Sequence, residues 1–301
     1  MNNNSVLLTG ATGFIGLNLA KRLVGLNYEV HVIARRSSNL SQLARVSKEI
    51  HIHFHNGSTA GMKSIMKSAQ PDCVFHLASL FLAKHRSQDV TPLVRSNILF
   101  GTQLLEAMSE CGVKEIINAS TSWQHYQNSV YDPVCLYAAT KQAFEDIMVY
   151  YHNVKSIKSI SIELFDTYGP NDQRHKLFYL FKQASLSHDP IKMSPGEQLI
   201  DLVYIDDVIG AFLIAKERVS QEIGSAKYML TSGNPIRLRE IAAIYSKVTN
   251  TEINLDWGGL PYREREVMTP WHSGEKIPGW KPIIGLEQGI KLLIEGEKNN
   301  G

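Results

Sequence analysis

The sequence lacks the features that identify several broad classes of protein. Its three cysteines, Cys73, Cys111 and Cys135, have neither disulfide nor metal spacing, which favours free thiols in a reducing compartment. There is no run of about 18 apolar residues, and the first residues do not have the pattern of a signal peptide. A formal net charge of +2 gives no reason to expect nucleic acid or an anionic membrane as a partner. These absences predict a cytoplasmic protein that binds neither nucleic acid nor membrane.

The order of apolar segments is typical of an α/β protein. Short apolar runs over residues 6–9, 28–34, 51–55, 71–79 and 113–119 read as strands, with helical periodicity after the first. This alternation predicts a doubly wound parallel sheet, the Rossmann fold, with a smaller C-terminal α/β substrate lobe. We expect residues 1–165, with a return segment at about 199–216, to form the cofactor domain. Residues 166–198 and 217–301, richer in Pro and Gly, would form the lobe.

A glycine-rich turn joins the first predicted strand to the first helix. Gly10, Gly13 and Gly16 would allow the tight turn, close approach to a pyrophosphate and close helix–strand packing. The helix start would offer free N–H groups to the phosphates. Small residues also end the fourth predicted strand, where they would let the cofactor lie close. The predicted cofactor-binding residues are Gly10, Thr12, Gly13, Phe14, Ile15, Gly16, Leu77, Ala78 and Ser79, together with Arg35, Arg36, Tyr137 and Lys141.

The end of the second predicted strand indicates which cofactor is bound. An acidic residue there would accept hydrogen bonds from the adenosine ribose and repel a 2′-phosphate. The chain instead has Arg35 and Arg36, and a guanidinium pairs well with phosphate. This predicts NADP(H) rather than NAD(H); the alternative is that both arginines are ordinary surface charges.

The segment "HIHFH", from His51 to His55, has the alternation of a half-buried strand, with Ile52 and Phe54 directed inward. Its histidines share one face, as metal ligands would. No carboxylate or cysteine lies nearby in the sequence to complete a ligand set, so no metal site is predicted.

Tyr137 and Lys141 are four residues apart on a predicted helix, so both side chains can reach one site. A neighbouring ammonium and an oxidised nicotinamide ring would both favour the phenolate and lower the tyrosine pKa from its usual value of about 10. Ser122 can hydrogen-bond the same substrate oxygen. The three residues together suit proton transfer coupled to hydride transfer.

With these motifs in place, the chain resembles the extended short-chain dehydrogenase/reductase family and its nucleotide-sugar epimerases, dehydratases and reductases. The segments that carry the resemblance are "TGATGFIG", "FHLAS", "SNILFGTQLLEA", "STSWQHY", "YAATK", "LFDTYGPND" and "LVYIDDVIGAF". The resemblance implies that Tyr137 is the general acid/base, that Lys141 binds the nicotinamide ribose and that Ser122 is the catalytic hydroxyl. It also implies that Asn97 orders the site, and that the helices carrying Asn97 and Tyr137 form a homodimer interface.

Departures from the family pattern narrow the activity. Dehydratases have an Asp-Glu pair where this chain has Trp123 and Gln124, and epimerases usually have an Asp in place of the "ARRSS" segment. The chain is therefore predicted to be an NADPH-dependent 4-ketoreductase of a nucleotide-linked deoxyhexose. It resembles CDP-abequose and CDP-paratose synthases most, which implies a role in surface-polysaccharide (O-antigen) synthesis. The alternatives are a 4-epimerase with retained cofactor and a non-catalytic NADP(H)-sensing regulator.

The substrate side departs from the pattern as well. Glu163 and Asp166 replace the usual Arg and Asn before "TYGP", and Ile200 replaces an Arg. Recognition of a CDP-, dTDP- or GDP-linked sugar is therefore assigned to other residues. The predicted substrate-binding residues are Ser122, Trp123, Asp166, Lys176, Arg263 and Arg265.

Overall fold

The computed structural model describes residues 4–46 and 48–298. The strands are β1 (Ser5–Thr9), β2 (Glu29–Ala34), β3 (His51–Phe54), β4 (Cys73–His76), β5 (Glu115–Thr121), β6 (Lys158–Leu164), β7 (Asp166–Tyr168), β8 (Ile191–Met193), β9 (Leu199–Ile200), β10 (Leu202–Tyr204), β11 (Ser225–Leu230), β12 (Ile236–Arg237) and β13 (Leu255–Trp257). The helices are α1 (Phe14–Gly25), α2 (Ser41–Val46), α3 (Thr59–Ala69), α4 (Val90–Val94), α5 (Phe100–Cys111), α6 (Leu136–Lys155), α7 (Leu177–Leu186), α8 (Ile205–Val219), α9 (Leu238–Thr249) and α10 (Leu286–Lys298).

Seven strands form one central parallel sheet in the order β11-β6-β5-β4-β1-β2-β3. The strand order reverses between β1 and β4, and in such sheets ligands bind beyond the carboxyl ends of the strands at that point. The glycine turn after β1 lies there. The predicted doubly wound Rossmann fold is confirmed.

Helices cover both faces of the sheet, so its central strands are buried on both sides. On one face, residues such as Leu8, Val32 and Phe75 pack against α1 and α8. On the other, Leu7, Val74 and their neighbours pack against α3, α5 and α6. Alternate residues of a strand therefore enter different cores, as the period of two requires.

The short strands outside the central sheet form separate pairs. There are three two-stranded pairs, β7–β10, β9–β12 and β8–β13; β12 contacts α9 and β10 contacts α10. Strand β11, which ends at Leu230, belongs to the central sheet. The part of the chain that returns to the sheet therefore extends beyond the predicted segment 199–216. The division into a cofactor domain and a substrate lobe stays a prediction. The α9 residues Ile241 and Tyr245 face the core, as their spacing indicates.

One residue of β3 differs from its prediction, whereas Ile52 packs against the core as expected. Phe54 is 46% exposed, although the alternation of "HIHFH" placed it inward with Ile52. The strand β3 is the last of the sheet and Phe54 is its final residue, so no further strand covers it. Instead the Arg36 guanidinium lies 5.9 Å from the centre of its ring.

Candidate active site

The glycine turn is packed so tightly that only glycine fits at two of its positions. Gly10 has φ +74°, and a Cβ there would lie 2.6 Å from the backbone nitrogen of Ala78. A Cβ on Gly16 would lie 2.2 Å from the carbonyl oxygen of Gly10. These contacts bring β1, β4 and α1 together at the edge of the sheet, as predicted for a dinucleotide crevice.

The start of α1 fits a phosphate group. Its N-cap is Gly13, no side chain caps the helix, and no acidic residue lies in the first turn. The N–H groups of the first turn therefore have no side-chain partner and carry the positive end of the helix dipole. Thr12 and Gly13 are exposed beside them, and Phe14 and Ile15 are partly buried. The residues present fit the diphosphate of a dinucleotide.

The carboxyl ends of β1 and β4 are joined by a hydrogen-bond network. Thr9 Oγ1 accepts from the Ala78 N–H at 3.1 Å and lies 2.8 Å from His76 Nδ1. Burial lowers the pKa of His76 to about 3, so its imidazole is neutral. Leu77 N–H donates to the Thr9 carbonyl at 3.3 Å. The network fixes Leu77 and Ala78, two of the three residues of this segment that were predicted to face the cofactor.

Arg35 and Arg36 lie directly after β2 and are exposed. Neither forms an ion pair within the described part of the chain. The Arg35 N–H donates to Ser38 Oγ at 3.1 Å, which turns the chain at this point. Both side chains are exposed at the carboxyl edge, and the Arg36 guanidinium lies over the ring of Phe54.

Tyr137 and Lys141 lie one turn apart on α6, and both are buried. Burial raises the pKa of Tyr137 to about 12, although hydrogen bonds with Ser79 and Thr121 act in the opposite direction. Burial also lowers the pKa of Lys141 to about 8, while Glu145 raises it. The expected depression of the tyrosine pKa is thus absent from the protein alone, because desolvation of the phenolate exceeds these favourable contributions.

The hydroxyl groups around Tyr137 differ in part from the predicted ones. Thr121, the last residue of β5, hydrogen-bonds to Tyr137, whereas Ser122 begins the following 3-10 turn. That turn packs against α6, and Ser122 lines the adjacent pocket. Thr121 is not among the predicted catalytic residues, although its position beside Ser122 in the sequence would have allowed such a role.

Asn97 lies in a π-helical turn, Arg95–Leu99, between α4 and α5. It is buried, its Oδ1 accepts from the Leu80 N–H at 2.7 Å, and its Nδ2 donates to the Leu80 carbonyl at 3.0 Å. Nδ2 also donates to Thr140 Oγ1 at 2.9 Å. Asn97 therefore connects the loop after β4 to the helix that carries Tyr137 and Lys141. Such π-turns frequently occur at functional sites.

A pocket lies beside this constellation, between the carboxyl edge and the later part of the chain. Its lining consists of Ser122, Trp123, Val134, Phe165, Asp166, Gln198, Leu199, Ile200, Asp201, Arg263, Arg265, Glu266, Val267, Pro270 and Trp271. Three buried polar atoms of this lining, Gln198 Oε1, Arg265 Nε and Trp271 Nε1, have no hydrogen-bond partner within the described residues. Orphaned polar groups of this kind suit a polar ligand.

The ring of Phe81 lies beside Tyr137 and Trp123, and no motif of the sequence indicated a role for it. Its ring lies 5.0 Å from that of Tyr137 and 5.4 Å from that of Trp123, measured between centres. It is 48% exposed. An exposed aromatic ring at this place offers a surface on which a ligand can stack.

The cationic residues predicted for the substrate are held by carboxylates. Arg263 pairs with Glu266 at 3.1 Å, and Arg265 pairs with Asp132. Lys176, which is outside the pocket lining, lies 3.3 Å from Asp166 Oδ1. The guanidinium of Arg263 also lies over the ring of Trp123, at 5.5 Å. The structure thus brings five of the six predicted residues into the pocket and places Lys176 at its margin.

The two acidic replacements have different surroundings. Asp166 lines the pocket, whereas Glu163 is buried behind it, with Oε1 2.6 Å from His125 Nε2. Lys227 lies 3.7 Å from Glu163 and 2.6 Å from Glu145. Glu163 therefore supports the site from behind.

The imidazole of His125 stacks on the Trp271 ring at 4.1 Å between centres. His125 follows the turn that begins at Ser122, and Trp271 lines the pocket from the end of the chain. The stack connects these two sides of the pocket.

Residues 6–228 match the NAD dependent epimerase/dehydratase family. The chain belongs to this family. It is accordingly an enzyme of the extended short-chain dehydrogenase/reductase type that uses a nicotinamide dinucleotide, as the resemblance implied. No helix in the described part of the chain has the length and apolar character needed to cross a bilayer.

Similar proteins of this family have different activities. The UDP-glucuronate 4-epimerase of Thermodesulfobacterium geofontis is 25% identical, over 98% of this chain and 96% of that protein. The CDP-abequose synthase of Salmonella muenchen is also 25% identical, over 97% of each. Among solved structures, the UDP-glucose 4-epimerase of Thermotoga maritima with UDP-glucose superposes with a TM-score of 0.85 at 22% identity, covering 98% of this chain and 99% of that one. The last comparison supports the fold alone.

Proposed function

We propose that the protein reduces the 4-keto group of a nucleotide-linked deoxyhexose with NADPH, in the synthesis of surface-polysaccharide sugars. The observation that carries the proposal is the buried Tyr137–Lys141 pair on α6 between a dinucleotide crevice and a polar pocket. NADPH, when bound, supplies the hydride. The similarity to CDP-abequose synthase supports this chemistry.

The side chains have separate roles in this reaction. Tyr137 donates its phenolic proton to the carbonyl oxygen, and its high pKa keeps that proton in place until the oxygen becomes basic. Lys141 contacts the nicotinamide ribose and, as an ammonium, stabilises the phenolate that remains. Ser122 orients the carbonyl, with Thr121 as a further hydroxyl group beside the tyrosine. Asn97 holds α6 in position.

Arg35 and Arg36 support the choice of NADP(H). The two exposed guanidinium groups follow β2, where this fold places the adenosine ribose. They would pair with the 2′-phosphate, which is absent from NAD(H).

The pocket supports a nucleotide-diphosphate sugar as substrate. Arg263, Arg265 and Lys176 supply positive charge for the diphosphate, and Trp123 and Asp166 would contact the sugar. Because each cation is held by a carboxylate, its side chain is already ordered before the substrate binds. The nucleotide that carries the sugar is CDP, dTDP or GDP.

Elimination of water is not supported by the site. Gln124, at the position of a dehydratase carboxylate, is buried and donates to Ser120 Oγ at 3.2 Å. Its Oε1 accepts from Lys227 at 3.0 Å. Neither it nor Trp123 can act as an acid at neutral pH.

The test is the variant Tyr137→Phe, assayed with NADPH and 4-keto sugar nucleotides. We expect it to bind NADPH as the wild type does and to lose more than about 99% of kcat, because general acid–base catalysis contributes 10²–10⁴-fold. Tyr131→Phe, at an exposed tyrosine, is the matched control and keeps full activity. Near-normal turnover of Tyr137→Phe would contradict the catalytic assignment.

A second candidate is a nucleotide-sugar 4-epimerase with retained cofactor, which the epimerase relatives at equal identity favour. Reduced-nicotinamide absorbance distinguishes the two. Steady loss of absorbance indicates the reductase, while inverted sugar stereochemistry without net loss indicates the epimerase. If neither changes, the remaining alternative is a non-catalytic NADP(H)-sensing regulator.

A homodimer through α6 and the helical segment that contains the π-turn Arg95–Leu99 is also proposed. Large apolar side chains are exposed on the helices that carry Asn97 and Tyr137, including Leu99, Val149 and Val154, at 46%, 45% and 56%. An exposed apolar surface of this kind is typical of protein interfaces.

A further inference from the structure

A cluster of histidines lies on the central sheet away from the active site. His31 on β2 is paired with His51 on β3, and Glu29 and His53 are the next residues along the same face. Glu29 and His51 are the first residues of their strands, and β3 is the edge strand. The cluster is therefore near the amino ends of the strands, whereas the glycine turn lies at the carboxyl ends.

We propose that Glu29, His31 and His51 bind a divalent transition-metal ion of the zinc type. Glu29 Oε1 lies 3.2 Å from His31 Nε2 and 3.6 Å from His51 Nε2, and one ligand atom of each residue lies within 4.8 Å of the others. Ligands about 2.1 Å from a tetrahedral zinc ion are about 3.4 Å apart. The two separations from Glu29 already agree with this geometry, and the ligand atoms of the two histidines lie no more than 4.8 Å apart.

His53 supports the buried member of the cluster. His31 is 5% exposed, its Nδ1 lies 2.9 Å from His53 Nε2, and its ring stacks with His51 at 4.7 Å between centres. Metal binding at His31 Nε2 requires the tautomer with hydrogen on Nδ1, which then donates to His53. Metal-bound histidines commonly have such a partner for the other ring nitrogen.

The donor set defines the class of ion. Two imidazoles and one carboxylate suit Zn²⁺, Co²⁺ or Ni²⁺, and do not suit Mg²⁺ or Ca²⁺, which prefer oxygen ligands. Glu29 and His51 are both 53% exposed at their side chains, so water can complete the coordination. An ion here would join the edge strand β3 to β2.

The sequence expectation of no metal was based on the absence of a nearby carboxylate along the chain. Glu29 is remote from "HIHFH" in sequence, and only the parallel pairing of β2 with β3 brings it there.

The experiment is calorimetric titration of the full chain with Zn²⁺, supported by the visible absorbance of the Co²⁺ form and by thermal unfolding. The expected result is one equivalent bound, with a raised Tm. Glu29→Gln and His51→Ala should each weaken binding at least tenfold and remove the rise in Tm.

His55→Ala is the matched control, because His55 belongs to the same His-x-His-x-His segment but contacts the Ser58 carbonyl and the Phe100 ring instead. This variant should bind Zn²⁺ as the wild type does. Absence of stoichiometric binding, or equal binding by the wild type, Glu29→Gln and His51→Ala, would overturn the proposal. Equal weakening by all three variants would also overturn it.

Discussion

Replacement of Asn97 by alanine should both destabilise the protein and impair catalysis. The change removes three hydrogen bonds, two to the backbone of Leu80 and one to Thr140. A buried polar group left without its partner costs about 1–3 kcal/mol. Leu80 is partly exposed, so water can reach its groups and the lower figure applies to each of them. With the lost contact to Thr140, we expect the free energy of unfolding to fall by about 2–4 kcal/mol.

Urea denaturation followed by circular dichroism measures this change, as a lower midpoint at an unchanged slope. Asn97→Asp can still accept from the Leu80 N–H but cannot donate to Leu80 or Thr140, and it buries a charge, so it should be no more stable than the alanine variant. Asn153→Ala, at an exposed position on α6, is the control and should change stability by less than about 0.5 kcal/mol. If Asn97→Ala unfolds at the wild-type midpoint, the connection between the β4 loop and α6 does not stabilise the fold as inferred.

Three further predictions test other parts of the molecule. Glu145→Gln removes a carboxylate that raises the pKa of Lys141, so this pKa should fall below its present value of about 8. Because the ammonium then loses its proton at lower pH, the alkaline fall in kcat/KM should move to lower pH. An unmoved profile would show that this proton is not required. Arg35→Ala and Arg36→Ala should each weaken NADPH binding at least tenfold and leave NADH binding nearly unchanged, as fluorescence titration can measure; a wild-type preference for NADH would contradict the assignment. Val149→Glu should convert a dimer into a monomer in light scattering, and a wild type that is monomeric throughout would refute the interface.

The sequence predicted the fold well because its signals are local. A strand, three glycines and a helix occur within residues 5–25, and the spacing of Tyr137 and Lys141 depends on one helix. Period and turn chemistry are sufficient for such elements. The order of apolar segments then determined the parallel sheet.

The features that were missed depend on residues far apart in the chain. The pairing of Glu163 with His125 and the approach of Glu29 to the histidines of β3 exist only after the strands have aligned. The burial of Tyr137 likewise depends on the tertiary structure. Because of this burial, the pKa of Tyr137 is raised rather than lowered in the protein without its cofactor. Phe54 was misplaced because alternation does not show where a sheet ends.

The stacking of His125 on Trp271 has a consequence for redesign of substrate choice. A graft of the segment around Trp271 from a relative would replace one ring of the stack and leave His125 without its neighbour. His125 is also bound to Glu163, and its chain segment leads directly back to Ser122. Selectivity and turnover should therefore change together in such chimeras unless the donor also provides a flat ring at this place.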